Sequence, residues 1–176
     1  MGPSPGGTDR ATLPAVEHLV TLDAVNAGEV LTLQRAAYVT EAQAHGDMDL
    51  PPLRQSLTEL SAELGRTDVL AIGWRNDTGR LLAAVRVTTA SDEGTVAEIG
   101  RLTVVPDRQG QGLGSRLLAA VEERVPAGVH ELRLFTGERS EANLRLYRRL
   151  GYIETHRVGT AAGYALVHMR KPRPRL

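Results

Sequence analysis

Residues Thr95–Glu123 read TVAEIGRLTVVPDRQGQGLGSRLLAAVEE, a strand, a glycine-rich turn and a helix in unbroken succession. Thr95, Val96, Ile99, Thr103, Val104 and Val105 are β-branched and favour a strand to Val105, which Pro106 ends because it has no N–H to give a ladder. Asp107 to Leu113 reads as loop. From Ser115 to Glu123, Leu117, Leu118 and Val121 recur at helical spacing, with polar residues on the other face. Gly110, Gly112 and Gly114 lack a Cβ, so the backbone there can take positive φ and let a ligand approach closely. The first N–H groups of the helix lack intrahelical partners and carry the positive end of its dipole. An anion, most naturally a pyrophosphate, fits that place. Glycines that merely shape the turn are the plain alternative.

Neighbouring patterns separate by residue. A P-loop needs Gly-Lys-Ser or Gly-Lys-Thr, whereas Gly114 is followed by Ser115-Arg116. A dinucleotide fold needs Gly-x-Gly-x-x-Gly tight against its strand, whereas Gly110-x-Gly112-x-Gly114 is set off by Pro106-Asp107-Arg108. Gln109-Gly110-Gln111-Gly112-Leu113-Gly114 resembles the Q/R-x-x-G-x-G/A signature of the GNAT acyltransferase superfamily, and Leu102–Pro106 resembles that family's fourth strand. The resemblance implies that Gln109 to Ser115 hold the coenzyme A pyrophosphate.

The 176 residues, 41% hydrophobic, suit one domain with a single core, an aliphatic one given one Phe and one Trp. With 21 basic and 21 acidic residues, the balance suggests neither nucleic acid nor an anionic membrane as partner. There is no cysteine, so disulfides, thiolate metal sites and a cysteine nucleophile are excluded. No histidine spacing suggests a metal site. No apolar run approaches the roughly 18 residues of a membrane span, and no signal-peptide layout opens the chain, so a cytoplasmic location is expected.

Residues 1–14, rich in Gly and Pro, are expected to form a mobile tail, followed by one domain over 15–171 and a short tail over 172–176. Ala15–Leu22 reads as a strand. A helix capped by Asp23 or Asn26 runs to about Gln43 with Val30, Leu33, Ala37 and Tyr38 inward, and Gly46 stops it. Pro51-Pro52 reads as extended and Leu53–Leu64 as a second helix. Val69–Asn76 and Arg80–Thr89 form a hairpin around Asp77-Thr78-Gly79, and Ser91–Gly94 turns the chain into the strand at 95–105. Val129–Gly137 is a strand, Ser140–Leu150 a helix closed by Gly151, and Tyr152–Arg157 and Tyr164–Arg170 are strands. The expected fold class is α/β (α+β). Its order β-α-α-β-β-β-α-β-α-β-β is the one the resemblance implies: a mixed, mostly antiparallel seven-stranded sheet, helices on both faces, with a splayed parallel pair at 95–105 and 129–137 (β4 and β5). A right-handed crossover makes that pair neighbours, and ligands bind at its carboxyl ends.

Ser140 to Tyr152 is a second match, to the family's N-x-x-A-x-x-L-Y-x-x-x-G-F/Y segment. It implies that Tyr147 protonates the departing thiolate, as a phenol of pKa about 10 can. Where the family often has asparagine this chain has Ser140, with Asn143 one turn on; both share the Tyr147 face, and either could touch the cofactor. The resemblance further implies that backbone N–H groups of Leu102, Thr103 and Val104 bind pantetheine and polarise the thioester. Packing for Tyr147 and a rim ion pair for Glu98 are the plain alternatives. Glu98 is the candidate base, placed by alternation on the face of Leu102 and Val104; His130 and water stand behind it. Glu41, Asp47, Asp49, Glu59 and Glu63 face one base, Arg54, between Tyr38 and Glu63, which favours a cationic acceptor or else marks a solvated face. The expected function is acetyl-coenzyme A-dependent transfer to a primary amine of a small molecule or peptide in a ternary complex, without metal, nucleic acid or membrane. A homodimer stays open, and a catalytically lapsed coenzyme A-binding module or a nucleotide-binding domain are the alternatives.

Overall fold

The computed structural model describes residues 17–90 and 94–174. The expected tail 1–14, Ala15 and Val16 of the expected first strand, Ser91–Glu93 of the expected turn and the last two residues lie outside the described residues. Strand β1 (Glu17–Thr21) leads through a 3₁₀ turn (Ala24–Asn26) into helix α1 (Ala27–His45). Asp23 caps the entry by accepting the Val25 N–H at 2.9 Å. Gly46 closes α1 at φ 63°, a left-handed turn that glycine takes without steric cost.

The expected second helix divides. Pro51 and Pro52 are not extended; they open a short helix α2 (Pro51–Arg54), whose first turn needs no N–H and whose φ the pyrrolidine ring presets. Ser56 and Glu59 then form a reciprocal capping box that starts helix α3 (Leu57–Leu64) afresh. Within α3, Leu60 and Leu64 are buried, whereas Leu57, at the first position of the helix, is exposed.

Strands β2 (Val69–Asn76) and β3 (Leu81–Ala90) make the expected hairpin, with Gly79 at φ 84°. Strand β4 (Val96–Val104) follows, then a 3₁₀ turn (Pro106–Arg108) and helix α4 (Leu113–Glu122). Helix α4 begins two residues before the expected Ser115, because Gly112 at φ 81° swings the chain directly into it. Strand β5 (Glu131–Gly137), helix α5 (Glu141–Arg149) and strands β6 (Ile153–Gly159) and β7 (Ala165–Pro172) complete the order.

One seven-stranded sheet runs β1-β2-β3-β4-β5-β7-β6. Leu117, Leu118 and Val121 of α4 and Leu144 and Tyr147 of α5 pack on one face with Ala97, Ile99 and Leu132. On the other, Val30, Leu31 and Leu33 of α1 and Leu60 and Leu64 of α3 pack on Ala71, Leu82 and Ala84. A fully buried leucine of this kind stabilises by about 1.5–3 kcal/mol. No helix among the described residues is long and apolar enough to cross a membrane.

Two departures from a regular sheet position everything that follows. The parallel pairing of β4 with β5 covers only Val96↔Glu131, Ala97↔Leu132 and Glu98↔Arg133, after which the strands diverge. On its other side β4 carries a bulge: Arg86 faces Gly100 but Ala84 faces Thr103, so Val85 opposes both Arg101 and Leu102. Arg101 at the bulge has φ 54°, the one positive φ of a non-glycine among the described residues.

Candidate active site

Past Glu98 the β4 backbone has no parallel partner, and a cavity of about 870 Å³ opens in the splay. Leu102, Thr103 and Val104 wall it on one side. Gln109, Gly110, Gly112, Gly114 and Ser115 close one end, with Gln109 Nε2 donating to the Val104 carbonyl at 3.1 Å. Gly110 has φ 74° and Gly112 φ 81°, and a Cβ built on either would meet no atom within 4 Å. The cradle is open, and any side chain there would enter the space a ligand needs. Because the N-cap of α4 is Gly112, no side chain caps the helix, and its first N–H groups remain available to an anion. Arg149, from the last turn of α5, adds a cation: its Nη2 donates to Ser115 Oγ at 3.1 Å and it lines the same cavity. The arrangement fits a pyrophosphate.

Two residues expected in this loop do not reach the cavity with their side chains. Gln111 turns outward and accepts from Arg108 Nε at 2.7 Å. Leu113 is 2% exposed and packs in the core beneath α1, so only its backbone belongs to the helix start.

Tyr147 lines the cavity from α5. Burial first, and then the acidic neighbours Tyr38 and Glu41, hold its phenol well above the ordinary value, so its proton is retained at neutral pH. Of the two candidates one turn apart, Asn143 lines the cavity and Ser140 does not. Ser140 is buried behind the wall, where its hydroxyl donates to Glu41. Asn143 Nδ2 donates to the other Glu41 oxygen at 3.2 Å, which ties α5 to α1 across the splay.

Glu98 requires a correction. It does not share the face of Leu102 and Val104, because the bulge at Arg101 adds a residue and reverses the alternation. Ile99, Leu102 and Val104 all pack toward α4 and α5. Glu98 pairs with Thr88, two residues from the Arg86↔Gly100 pair, and so points to the α1 and α3 side with Arg86, which is bonded to Gln34 at 2.8 Å. A second cavity lies there, lined by Glu63, Arg86, Glu98 and Arg101 among others, and it adjoins the first at Ile99, Gly100, Arg101 and Phe135. His130, the other base considered, lines neither.

The five carboxylates between Tyr38 and Glu63 are all engaged within the chain. Asp47 accepts from the Tyr164 hydroxyl at 3.0 Å, Asp49 from Arg54 at 2.6 Å, Glu59 from Ser56 N–H at 2.7 Å and Glu63 from Gln55 at 2.6 Å. Glu41 is held by Ser140 and Asn143; only Asp49 and Glu63 of this cluster pair with an arginine, Arg54 and Arg86, while Glu41, Asp47 and Glu59 keep their charge against neutral donors. Among the described residues no group of histidine and carboxylate side chains could hold a metal.

Sequence reasoning missed Arg149, Tyr38 and Arg101 as cavity residues. The Arg148-Arg149 pair at the end of α5 was the available signal for the first. Helical spacing already turned Tyr38 inward without saying that it would meet a cavity, and nothing local marks Arg101, because a bulge is set by a neighbouring strand.

A family model described as the acetyltransferase (GNAT) family matches residues 32–152. No curated protein matches the chain. Solved structures match along nearly all of it. The ribosomal-protein-S18-alanine N-acetyltransferase of Escherichia coli is 21% identical, with 89% of this chain and 94% of that one covered and a TM-score of 0.71. The paia N-acetyltransferase of Thermoplasma acidophilum, solved with coenzyme A, is 16% identical over 90% of this chain and 99% of its own, with a TM-score of 0.73. An N-acetyltransferase of Kribbella flavida is 14% identical over 89% and 98%, with a TM-score of 0.72.

Proposed function

The chain belongs to the GNAT acetyltransferase family, and from that premise we propose that it moves the acetyl group of acetyl-coenzyme A to a primary amine by direct attack in a ternary complex. One observation carries the reading: the unpaired stretch of β4, the uncapped start of α4 and Tyr147 wall a single cavity. When bound, acetyl-coenzyme A supplies a thioester carbonyl open to attack by an amine.

The chain's own residues divide the remaining work. Backbone N–H groups at Gly110–Ser115 and the Arg149 guanidinium hold the pyrophosphate. The Leu102–Val104 backbone, free of a parallel partner, offers fixed donors where negative charge develops on the carbonyl oxygen. Asn143 borders the cofactor path, with Ser140 positioning Glu41 behind it. Tyr147 keeps its proton until a thiolate needs it. Glu98 takes a proton from the amine in the second cavity, on the opposite side of the sheet, and that cavity adjoins the first at Arg101, so donor and acceptor reach the β4 bulge from different faces.

A thermal-shift series with acetyl-coenzyme A, longer acyl thioesters, ATP and NAD tests the reading, together with coenzyme A release across an amine panel. A ligand at 100 times its Kd stabilises by about 2.7 kcal/mol, several degrees in a domain of this size. Stabilisation by acetyl-coenzyme A with turnover is the expected result. No stabilisation overturns the proposal, and stabilisation without turnover on any amine reduces the protein to a coenzyme A-binding module.

A further inference from the structure

The second cavity, about 600 Å³, has charges that do not cancel in place. Glu131 takes Arg133 at 2.6 Å and Arg170 at 3.2 Å, and Glu63 takes Arg86 at 3.1 Å. Arg101 and Glu98 join no ion pair among the described residues and both line the cavity, Arg101 against the Tyr38 hydroxyl and Glu98 on the side of His168. Arg86, only 3% exposed, keeps an Nη1–H without a hydrogen-bond partner. Burial lowers its pKa to about 10, and the like charge of Arg101 acts in the same direction against the pull of Glu63. Arg101 itself is fixed by the bulge in a left-handed conformation that a residue with a side chain adopts only where its surroundings impose it. Glu63 serves as the counter-ion of Arg86, so Arg101 is the guanidinium of this group without an ion-pair partner and Glu98, three residues back along the same strand, is the carboxylate without one.

We propose that the acceptor is a free amino acid, whose carboxylate docks on the Arg101 guanidinium in front of Arg86 and whose amine lies at Glu98. The proposal deepens the acetyl-transfer reading and rests on it. A guanidinium fork matches a carboxylate with two parallel hydrogen bonds, and an incoming anion relieves the mutual repulsion of Arg86 and Arg101. Glu98 takes one proton from the ammonium and frees the nitrogen lone pair. The nitrogen bonds to the thioester carbonyl carbon, the C–S bond breaks, and the sulfur takes the Tyr147 proton, which solvent restores. The second amine proton leaves to solvent, so the sum is ammonium and thioester giving amide, thiol and one proton.

Coenzyme A release at saturating acetyl-coenzyme A is measured with L-amino acids and with the corresponding amino acid amides, which keep amine and side chain but lack the carboxylate. Tyramine and cadaverine form a separate arm. The acids are expected to exceed their amides in kcat/KM by about 10- to 100-fold, the scale of a charge-assisted pair. Arg101→Gln should raise the KM of the acid about tenfold more than that of the amide, and Arg101→Lys, which keeps the charge but not the fork, should fall between. Amides that match their acids on the wild-type protein overturn the proposal without any variant. Reaction of tyramine or cadaverine with no reaction of any amino acid overturns it and leaves acetyl transfer standing. Reaction of nothing overturns both.

Discussion

Tyr147 shows how a single residue takes its role from its surroundings. Spacing within α5 puts it on the buried face, and the splay of β4 from β5 gives that face a cavity instead of a packed neighbour. Its ring lies edge-on to Tyr152 with centroids 6.0 Å apart, so Tyr147→Phe keeps the packing and removes only the proton donor. We expect kcat to fall about 10²-fold while acetyl-coenzyme A affinity, measured by calorimetry, is unchanged. Equal kcat under conditions where chemistry limits the rate would return Tyr147 to packing. Arg101 is the opposite case. Its neighbours in sequence say nothing of a left-handed φ, which is forced by one extra residue in β4 opposite Val85.

At the scale of the element, the proposed function has the loop from Gly110 into α4 work through its backbone. Gly112→Val should place a β-branched side chain in the anion cradle and a strained φ at the helix start. The strain costs about 1–3 kcal/mol, or roughly 2–4 °C in Tm for each kcal/mol in a chain of this length. Gly79 supplies the control: it has φ 84° and nothing within 4 Å of a built Cβ, but it lies in the β2–β3 hairpin. Gly79→Val should lower Tm comparably and leave acetyl-coenzyme A binding intact, whereas Gly112→Val should also weaken that binding at least tenfold. Equal Kd values for the two variants would remove the loop from the cofactor site. The loop was legible in the sequence because glycine spacing, a terminating proline and an amphipathic helix are all local. The division of α2 from α3 was partly so, since Ser56 and Glu59 already spell a capping box.

Across the whole molecule, buried phenols and paired carboxylates set the pH range of stability. The hydrogen bond from Arg75 holds Glu29 below the ordinary 4.5, and that from Arg133 does the same for Glu131. A carboxylate whose folded pKa is depressed contributes stability that is present above its unfolded pKa and lost as pH falls through the folded one. Burial raises Tyr38, Tyr147 and Tyr152 above the ordinary 10.0. A phenol with a raised folded pKa contributes stability that is complete below the unfolded value and lost as pH rises past it. Burial raises Tyr164 as well, so Tm should be flat between about pH 5 and 9 and fall on both sides, steeply on the alkaline side, where the phenols act together. A Tm that holds to pH 11 would mean that these phenols are solvated in the folded protein.

By itself the sequence determined the run of elements (the short helix α2 excepted), the glycine loop, the tyrosine on the inner face of α5 and, through two separate motifs, the family. These rest on local spacing and backbone chemistry that each segment carries with it. Only the tertiary structure decided which face of the sheet Glu98 occupies, that Asn143 and not Ser140 meets the cavity, and that the acidic residues near α2 and α3 are already engaged. The reason is physical: a bulge in β4 is fixed by its register with β3, and whether a carboxylate is spare depends on partners as far away as the 117 positions between Asp47 and Tyr164. The unpaired charges of Arg101 and Glu98 belong to the same class, since they emerge only once Glu63 has taken Arg86 and Glu131 has taken Arg133 and Arg170.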